Sequence, residues 1–511
     1  MSALRDRLEE YLDSVCEQIR WKRAREGTVQ ELRTHLLDQR DAYLELGMDE
    51  DTAVLESVRQ MGDPVETGVL LDRIHRPKPQ WGFLCLVGLL LVMGYTAQTL
   101  LRDVAVIDPT ISDELFYETR WLFTAVQGIV IMFLLYFLDY TILARRPFLY
   151  YWAGIGGLTV LFLNSRKFGG RYFEIQFGML LAPVLLALLI YSMRGKGWRG
   201  LFFCMCGTLL LAGMAILIPN ITIALMIFGA GILMIVLSVV RGWMKVPVRR
   251  TLILIGAFLF LSAAFLCYHI ICSGYVLRRL SMVFHPEQDP LGSGYHILVT
   301  RSLLSDARWI GQGDVTFPGF DSAEHILPDI PGSSLLTWII HRLGWLAGLI
   351  LLGTFALLLG WMMKKSLNYR GMFGCLISTA AVYTITVQVI SFTLFNLGFP
   401  ILGTLSLPLI TYGRWAMSAN MALIGLVLSV FREESLPMNQ SVLSQSLQSG
   451  QSKKHFSISR FIFWENGNLI FAFGHLKELL LATLYPYEDE DEDEADGHKE
   501  KNSVTSSYTS D

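Results

Sequence analysis

Arg278, Arg279, His285, Glu287, Asp289, Arg301, Asp314, Glu324, His325 and Asp329 all fall in one polar stretch, Ser273 to Ser334, between two long apolar runs. Guanidinium groups meet phosphate oxygens through forked N–H donors, and carboxylates take protons from hydroxyls. The set can therefore hold an anionic ligand and serve acid–base chemistry. Arg278 and Arg279 directly follow an apolar run, at the level where a guanidinium meets a lipid phosphate or pyrophosphate; the same spacing also serves plain interfacial anchoring. The segment HPEQDPLGSGYH (His285 to His296) is turn-rich through Pro286, Pro290, Gly292 and Gly294, and Gly311 to Gly313 makes a second turn. Neither is a phosphate-binding P-loop, and the chain has no nucleophile, zinc or nucleotide motif. The seven cysteines are scattered without a disulfide or metal-ligand spacing and read as buried structural thiols. No basic cluster suits nucleic acid.

The surroundings of this stretch are membrane-like. With 511 residues, 52% of them hydrophobic and 17% charged, the chain has more apolar side chains than a soluble core of that length requires. A bilayer core of about 30 Å takes roughly 20 apolar residues as helix. About ten such runs begin near Trp81, Trp121, Phe148, Gln176, Gly200, Ile221, Thr251, Leu335, Gly371 and Trp415. The fold expected is all-α: a polytopic membrane protein of about ten transmembrane helices with a small cytoplasmic helical bundle at its N-terminus. Basic residues cluster before the first run (Arg73, Arg76, Lys78) and after the second, fourth, sixth and eighth, which marks those ends as cytoplasmic. Arg166, Lys167 and Arg171, after the third run, depart from that rule. An even number of spans places both termini inside and residues 273–334 outside. The late first run, preceded by charged helices, argues against a cleavable signal peptide.

Residues 1–80 read as a separate module of three or four short helices. Thr28 and Glu31 form a capping-box pattern ahead of Val29 to Leu46; Asp49 can cap the next helix, Gly62 end it, and Asp63 with Pro64 start another. The marks ELRTHLLD and QMGDP make this segment similar to the small prefix domains found ahead of some bacterial permeases and sensors. Residues 81–432 form the membrane domain. Residues 433–511 read as a cytoplasmic linker, an interfacial helix over Phe461 to Leu484, and an acidic, solvated tail from Glu488.

Several motifs then carry a family resemblance. The run RRLSMVFHPEQDPLGSGYHILVTRSLL (Arg278 to Leu304), GQG (Gly311 to Gly313), LPD (Leu327 to Asp329) and RLGWLAG (Arg342 to Gly348) resemble the large extracellular loop and following helix of the SEDS family, the FtsW, RodA and SpoVE group. NLGF (Asn396 to Phe399) and LSLPLITYGRWAMSANMALIGLVLSV (Leu405 to Val430) are similar to that family's closing motif. The resemblance implies a bacterial cell-membrane protein of peptidoglycan synthesis in cell division or cell-shape control. Its chemistry would be glycan polymerisation from lipid II: an acceptor hydroxyl attacks the anomeric carbon and undecaprenyl pyrophosphate leaves. A class B penicillin-binding protein would be the partner. No cofactor is fixed by the resemblance, and a divalent cation, Mg²⁺ or Mn²⁺, is compatible with the reaction.

The resemblance also assigns positions. Arg279 occupies the family's loop arginine and becomes the phosphate contact, with Arg278 and Arg301 behind it. The family's proposed general base, an Asp, falls on Ser333, and the nearest carboxylate, Asp329, stands at a family Glu. Asp329 is therefore the substitute base, provided that Pro331 and Gly332 let the two positions meet. Asn220 stands where the family has a carboxylate, Gln176 remains from a longer polar motif, and YGRWA (Tyr412 to Ala416) adds Arg414 and Trp415. Gln176, Asn220 and Arg414 complete the candidate substrate contacts. The departures leave open a polymerase using Asp329, a catalytically degenerate relative that binds the lipid-linked precursor or the penicillin-binding protein, and a flippase of lipid-linked saccharide.

Overall fold

Lipid offers no partners to a backbone amide, so an apolar run must close its hydrogen bonds within itself, and here it does so as helix. The computed structural model describes residues 2–75, 80–107, 117–168, 171–218, 220–272, 280–315, 322–401, 403–432, 462–465 and 468–471. The chain opens with four helices: α1 (Ser2–Gln18), α2 (Lys22–Glu45), α3 (Glu50–Met61) and α4 (Pro64–His75). They enclose a core of their own around Leu12, Val15, Ile19 and Leu36. The Asp49 carboxylate accepts from the Thr52 amide at the start of α3, Gly62 ends that helix at φ 80°, and Asp63 accepts from the Glu66 amide to start α4. The capping box at Thr28 is not formed. Helix α2 already begins at Lys22 and carries Thr28 into its buried face, because the intervening Arg, Ala and Glu residues are good helix formers.

The membrane part follows as α5 (Trp81–Ile107), α6 (Tyr117–Phe137), α7 (Ile142–Arg145), α8 (Pro147–Asn164), a ribbon of β1 (Lys167–Phe168) and β2 (Arg171–Tyr172), α9 (Phe173–Gly178), α10 (Ala182–Ser192), α11 (Gly197–Leu217), α12 (Ile221–Val240), α13 (Val248–Cys272), a short helix α14 (280–284), α15 (Tyr295–Ser305), α16 (Ala323–Ile326), α17 (Leu335–Leu343), α18 (Trp345–Asn368), α19 (Met372–Asn396) and α20 (Arg414–Arg432). Among the described residues eight stretches are long and apolar enough to cross a bilayer: Trp81–Leu101, Arg120–Phe137, Glu174–Ser192, Gly197–Leu217, Ile221–Val240, Trp345–Asn368, Met372–Asn396 and Arg414–Arg432. The runs expected from Phe148 and Thr251 are the helices α8 and α13. The run expected from Leu335 is divided. Its first part, α17, is a nine-residue helix with Leu335 to His341 all buried; Gly344 then turns the chain at φ 102°, and the spanning helix starts at Trp345. Residues 335–340 are apolar because they face protein, a distinction that hydrophobic pattern alone does not make.

Helices α12, α19 and α20 are the most enclosed spans. Small residues let neighbours approach: a Cβ on Gly128 of α6 would stand 2.8 Å from Met421 Cγ, and one on Gly425 of α20 would stand 2.6 Å from the Met132 carbonyl. Pro183 at the first turn of α10 divides the fourth span, which enters through α9 and a 3₁₀ turn, Met179–Leu181. Residues 444–511 form a second unit, whose described part is a ribbon of β3 (Ile462–Glu465) and β4 (Asn468–Phe471). This corrects the interfacial helix expected from Phe461. The run Ile462, Phe463, Trp464 favours strand. The remainder of that expected helix and the acidic tail lie outside the described residues.

Candidate active site

The segment from Leu327 to Ser334 forms a tight, non-helical turn built on Asp329. The Asp329 carbonyl accepts from the amides of Gly332, Ser333 and Ser334 at 3.2, 3.0 and 3.1 Å, and its carboxylate Oδ2 accepts from the Ser333 amide at 2.9 Å. Asp329 has φ 49°, a left-handed conformation that Asp tolerates because its short side chain bonds locally. Gly332 lies directly beneath it, and a Cβ there would come to 2.5 Å from the Asp329 carboxylate, displacing it from this position. Pro331 and Gly332 thus prevent a regular helical turn, yet Asp329 and Ser333 still share one small loop.

Three neighbours, Asn396, Tyr412 and His296, hold this turn. Asn396, at the end of α19, donates from Nδ2 to the Ser333 carbonyl at 2.8 Å, while its Oδ1 accepts from the amide and hydroxyl of Thr337 at 3.1 and 3.0 Å. The Tyr412 amide donates to the Pro331 carbonyl at 3.1 Å. The Ser334 hydroxyl donates to the Pro328 carbonyl at 2.7 Å, and His296 Nε2 lies 3.1 Å from the same hydroxyl oxygen. Because the Ser334 proton is already used, Nε2 must be the donor. Nδ1 is then the acceptor facing the Thr300 hydroxyl at 3.5 Å. Burial against Phe395, whose ring centroid is 4.3 Å away, pushes the His296 imidazole down to about 4 and keeps it neutral.

The turn forms one wall of a cavity of about 950 Å³. Arg120, Phe123 and Thr124 of α6, Gln176 and Phe177 of α9, Leu180 of the 3₁₀ turn, Ile223 of α12, Phe395 of α19, residues 403–406 and 411–413, and Arg414 and Trp415 of α20 supply the rest. Among its described lining residues Asp329 carries the sole carboxylate, and Arg120 and Arg414 bring two guanidinium groups to the same lining. The Arg414 guanidinium lies 5.4 Å from the centroid of the Trp415 ring. One proton acceptor, two cations and an aromatic, apolar wall beside the membrane suit an amphiphilic phosphate-bearing ligand with a reacting hydroxyl. A divalent cation would find only the Asp329 carboxylate here and would need phosphate oxygens of a ligand to complete its shell.

Of the expected site residues the fold brings Asp329, Ser333, Gln176 and Arg414 to this one cavity. Asn220 is not among the lining residues; it caps α12, accepting from the amide of Ile223 at 3.3 Å. Arg301 is elsewhere: its guanidinium donates to the carbonyls of Gly398 at 2.9 Å and Val283 at 2.7 Å and lies 5.2 Å from the Phe399 ring. Those bonds make it a clamp between α15 and the NLGF segment, which removes it from the phosphate contacts. Arg278 and Arg279 lie outside the described residues. The sequence motifs do not single out Arg120; the signal that could have pointed to it is an arginine opening an apolar span.

Residues 80–436 match the profile of the cell cycle protein family that groups FtsW, RodA and SpoVE. The chain is 30% identical over 185 residues to peptidoglycan glycosyltransferase MrdB of Escherichia coli K12, a match covering 35% of this chain and 48% of MrdB. It thus spans about half the length of that relative. Stage V sporulation protein E of Bacillus subtilis is 23% identical over 368 residues, covering 67% of this chain and 93% of that protein. A chain in a solved peptidoglycan synthase complex superposes with a TM-score of 0.53 at 23% identity, over 70% of this chain and 98% of its own, and so shares the fold.

Proposed function

Because the chain belongs to the FtsW, RodA and SpoVE family of cell cycle proteins, we propose that it works in peptidoglycan synthesis, in cell division or cell-shape control, as a glycan-strand polymerase acting on lipid II. The observation that carries this reading is the cavity whose lining combines the Asp329 carboxylate with Arg120 and Arg414. The acceptor hydroxyl oxygen attacks the anomeric carbon of the donor sugar, its proton passes to the Asp329 carboxylate, and the anomeric carbon–oxygen bond breaks as undecaprenyl pyrophosphate leaves with the electron pair. Arg120 and Arg414 steady the developing pyrophosphate charge. The Phe123 and Trp415 side chains supply the wall for the sugar and the first isoprene units. A class B penicillin-binding protein, crosslinking the product, is the partner this reading requires. Both termini then lie on the cytoplasmic side, and the cavity opens on the wall-building side.

One observation favours a second reading, in which the cavity binds the lipid-linked precursor without turning it over: the family's acid position is Ser333, and Asp329 already holds the Ser333 amide. Purified chain with lipid II and Mg²⁺ or Mn²⁺ separates the two. Polymerase activity yields glycan strands, lost by at least about 10²-fold in Asp329→Asn, as expected for removal of a general base. Ser333→Asp, which restores the family's carboxylate, should raise the rate. Lipid II binding without strands, rescued to turnover by Ser333→Asp, would establish the second reading.

A further inference from the structure

Helix α4 uses one face within the N-terminal bundle and leaves the other apolar. The inner face packs on α1 so closely that a Cβ on Gly68 would stand 2.7 Å from Gln18 Cβ and 2.9 Å from the Val15 carbonyl, while the Tyr11 hydroxyl reaches Thr67 at 3.5 Å. On the opposite side Val65, Val69, Leu70 and Ile74 are 48%, 53%, 53% and 60% exposed. With about 100° between successive residues, these four share a half-circle with Glu66 and Arg73. A helix face turned to water carries polar side chains; one dominated by large apolar groups is built to meet another medium.

Chain connectivity identifies that medium. Residues 76–79 separate His75 from Gln80, and the spanning helix α5 begins at Trp81. Such a linker reaches at most about 18 Å, which is also about the length of a twelve-residue helix. The end of α4 is thereby kept close to the point where the chain enters the bilayer. Trp81 is 69% exposed there, as an interfacial aromatic would be. Arg73, within the apolar face, has a long stem that can lie along lipid while its guanidinium reaches the head groups.

We propose that α4 is an interfacial helix, its Val65, Val69, Leu70 and Ile74 face lying in the head-group boundary of an anionic phospholipid surface beside the first span. The prefix bundle is then docked on the membrane, and α1, packed on the back of α4, follows the lipid surface instead of swinging on a tether. This inference is independent of whether the cavity is catalytic.

The test uses the full chain in nanodiscs containing phosphatidylglycerol, with a genetically encoded fluorescent amino acid at Val69 or, as control, at the exposed Asp51 on α3. Lipids brominated along the acyl chain should quench the probe at position 69 and aqueous iodide should not; position 51 should show the reverse. Arg73→Glu should weaken docking by about fivefold or more, the value of one basic residue at an anionic surface. A Val69→Glu, Leu70→Glu chain carrying the probe at Ile74 should lose bromolipid quenching with unchanged helix content. Iodide quenching at 69 equal to that at 51 would overturn the proposal. Protection from both quenchers would also overturn it, since the stripe would then face protein or a second copy of the chain.

Discussion

Asp329 and His296 show how two side chains divide the work of one turn. Asp329 contributes the carboxylate and the left-handed bend; His296 stands behind it, and its neutral ring donates through Ser334 toward the Pro328 carbonyl. The dependence on pH follows from burial. The folded ring titrates at about 4 against 6.5 for a free imidazole, so protons bind the unfolded chain more readily in that interval. The stability due to the neutral ring is complete above pH 6.5 and is lost as pH falls toward 4, at most on the order of 3 kcal/mol. Thermal melts of the detergent-solubilised chain at pH 7 and pH 4.5 should show a larger drop for the unsubstituted chain than for His296→Gln, which keeps a donor toward Ser334 but does not titrate; parallel drops would rule out the histidine. Sequence motifs placed Asp329 beside Ser333 correctly because both lie in one short segment. They misplaced Arg301, since an arginine that binds distant backbone carbonyls looks in sequence like one free for phosphate. They passed over Arg120, which shares the cavity lining with segments remote in the chain.

At the scale of elements, the junction of α17 and α18 decides where the bilayer begins. The first amides of α18, which no helix can satisfy internally, are taken by loop carbonyls: Trp345 donates to Arg308 at 3.0 Å and Leu346 to Trp309 at 3.1 Å. The amides of Gly311 and Gly313 return bonds to the carbonyls of Leu343 and His341. Gly344 permits this strap, since its φ is 102° and a Cβ would meet the Trp309 carbonyl at 2.5 Å. Gly344→Ala should therefore cost about 1–3 kcal/mol, the usual cost of forcing a side chain into such a conformation. Gly353→Ala, on the same span with nothing within 4 Å of the new methyl, is the control and should leave the melting temperature unchanged. The break at Gly344 was hidden in the sequence because residues on both sides are apolar. Most other spans were legible from length and hydropathy, because lipid imposes the same requirement on each.

For the whole molecule, the direction of the chain through the membrane and the position of the cavity constrain each other. Helices α6, α9, α12 and α20 all begin at the cavity, through Arg120, Gln176, Ile223 and Arg414, and α19 ends there at Phe395. Their other ends lead to Arg145 and Arg146, to Arg194, Lys196 and Arg199, to Arg241 and Lys245, to Lys364, Lys365 and Arg370, and to Arg432. These basic residues lie at the helix ends away from the cavity, where Arg241 is bound to the carbonyls of Leu367 and Tyr369; Arg120 and Arg414 line the cavity itself, and Arg166, Lys167 and Arg171 precede α9 at its cavity end. In the orientation proposed above, anionic lipid and the insertion machinery hold that end in the cytoplasm, and the cavity with Asp329 faces the other side. The basic clusters at those helix ends were legible in the sequence; the gathering of five helix ends around one turn was not, because it depends on packing between distant segments. The proposed orientation predicts a sharp asymmetry in chemical access. In intact cells an impermeant maleimide should react with Ser293→Cys, in the exposed turn before α15, and not with Lys364→Cys at the far end of α18 until the membrane is permeabilised, with the unsubstituted chain as background for its own cysteines. The opposite pattern would turn the cavity toward the cytoplasm and remove it from any wall-building substrate.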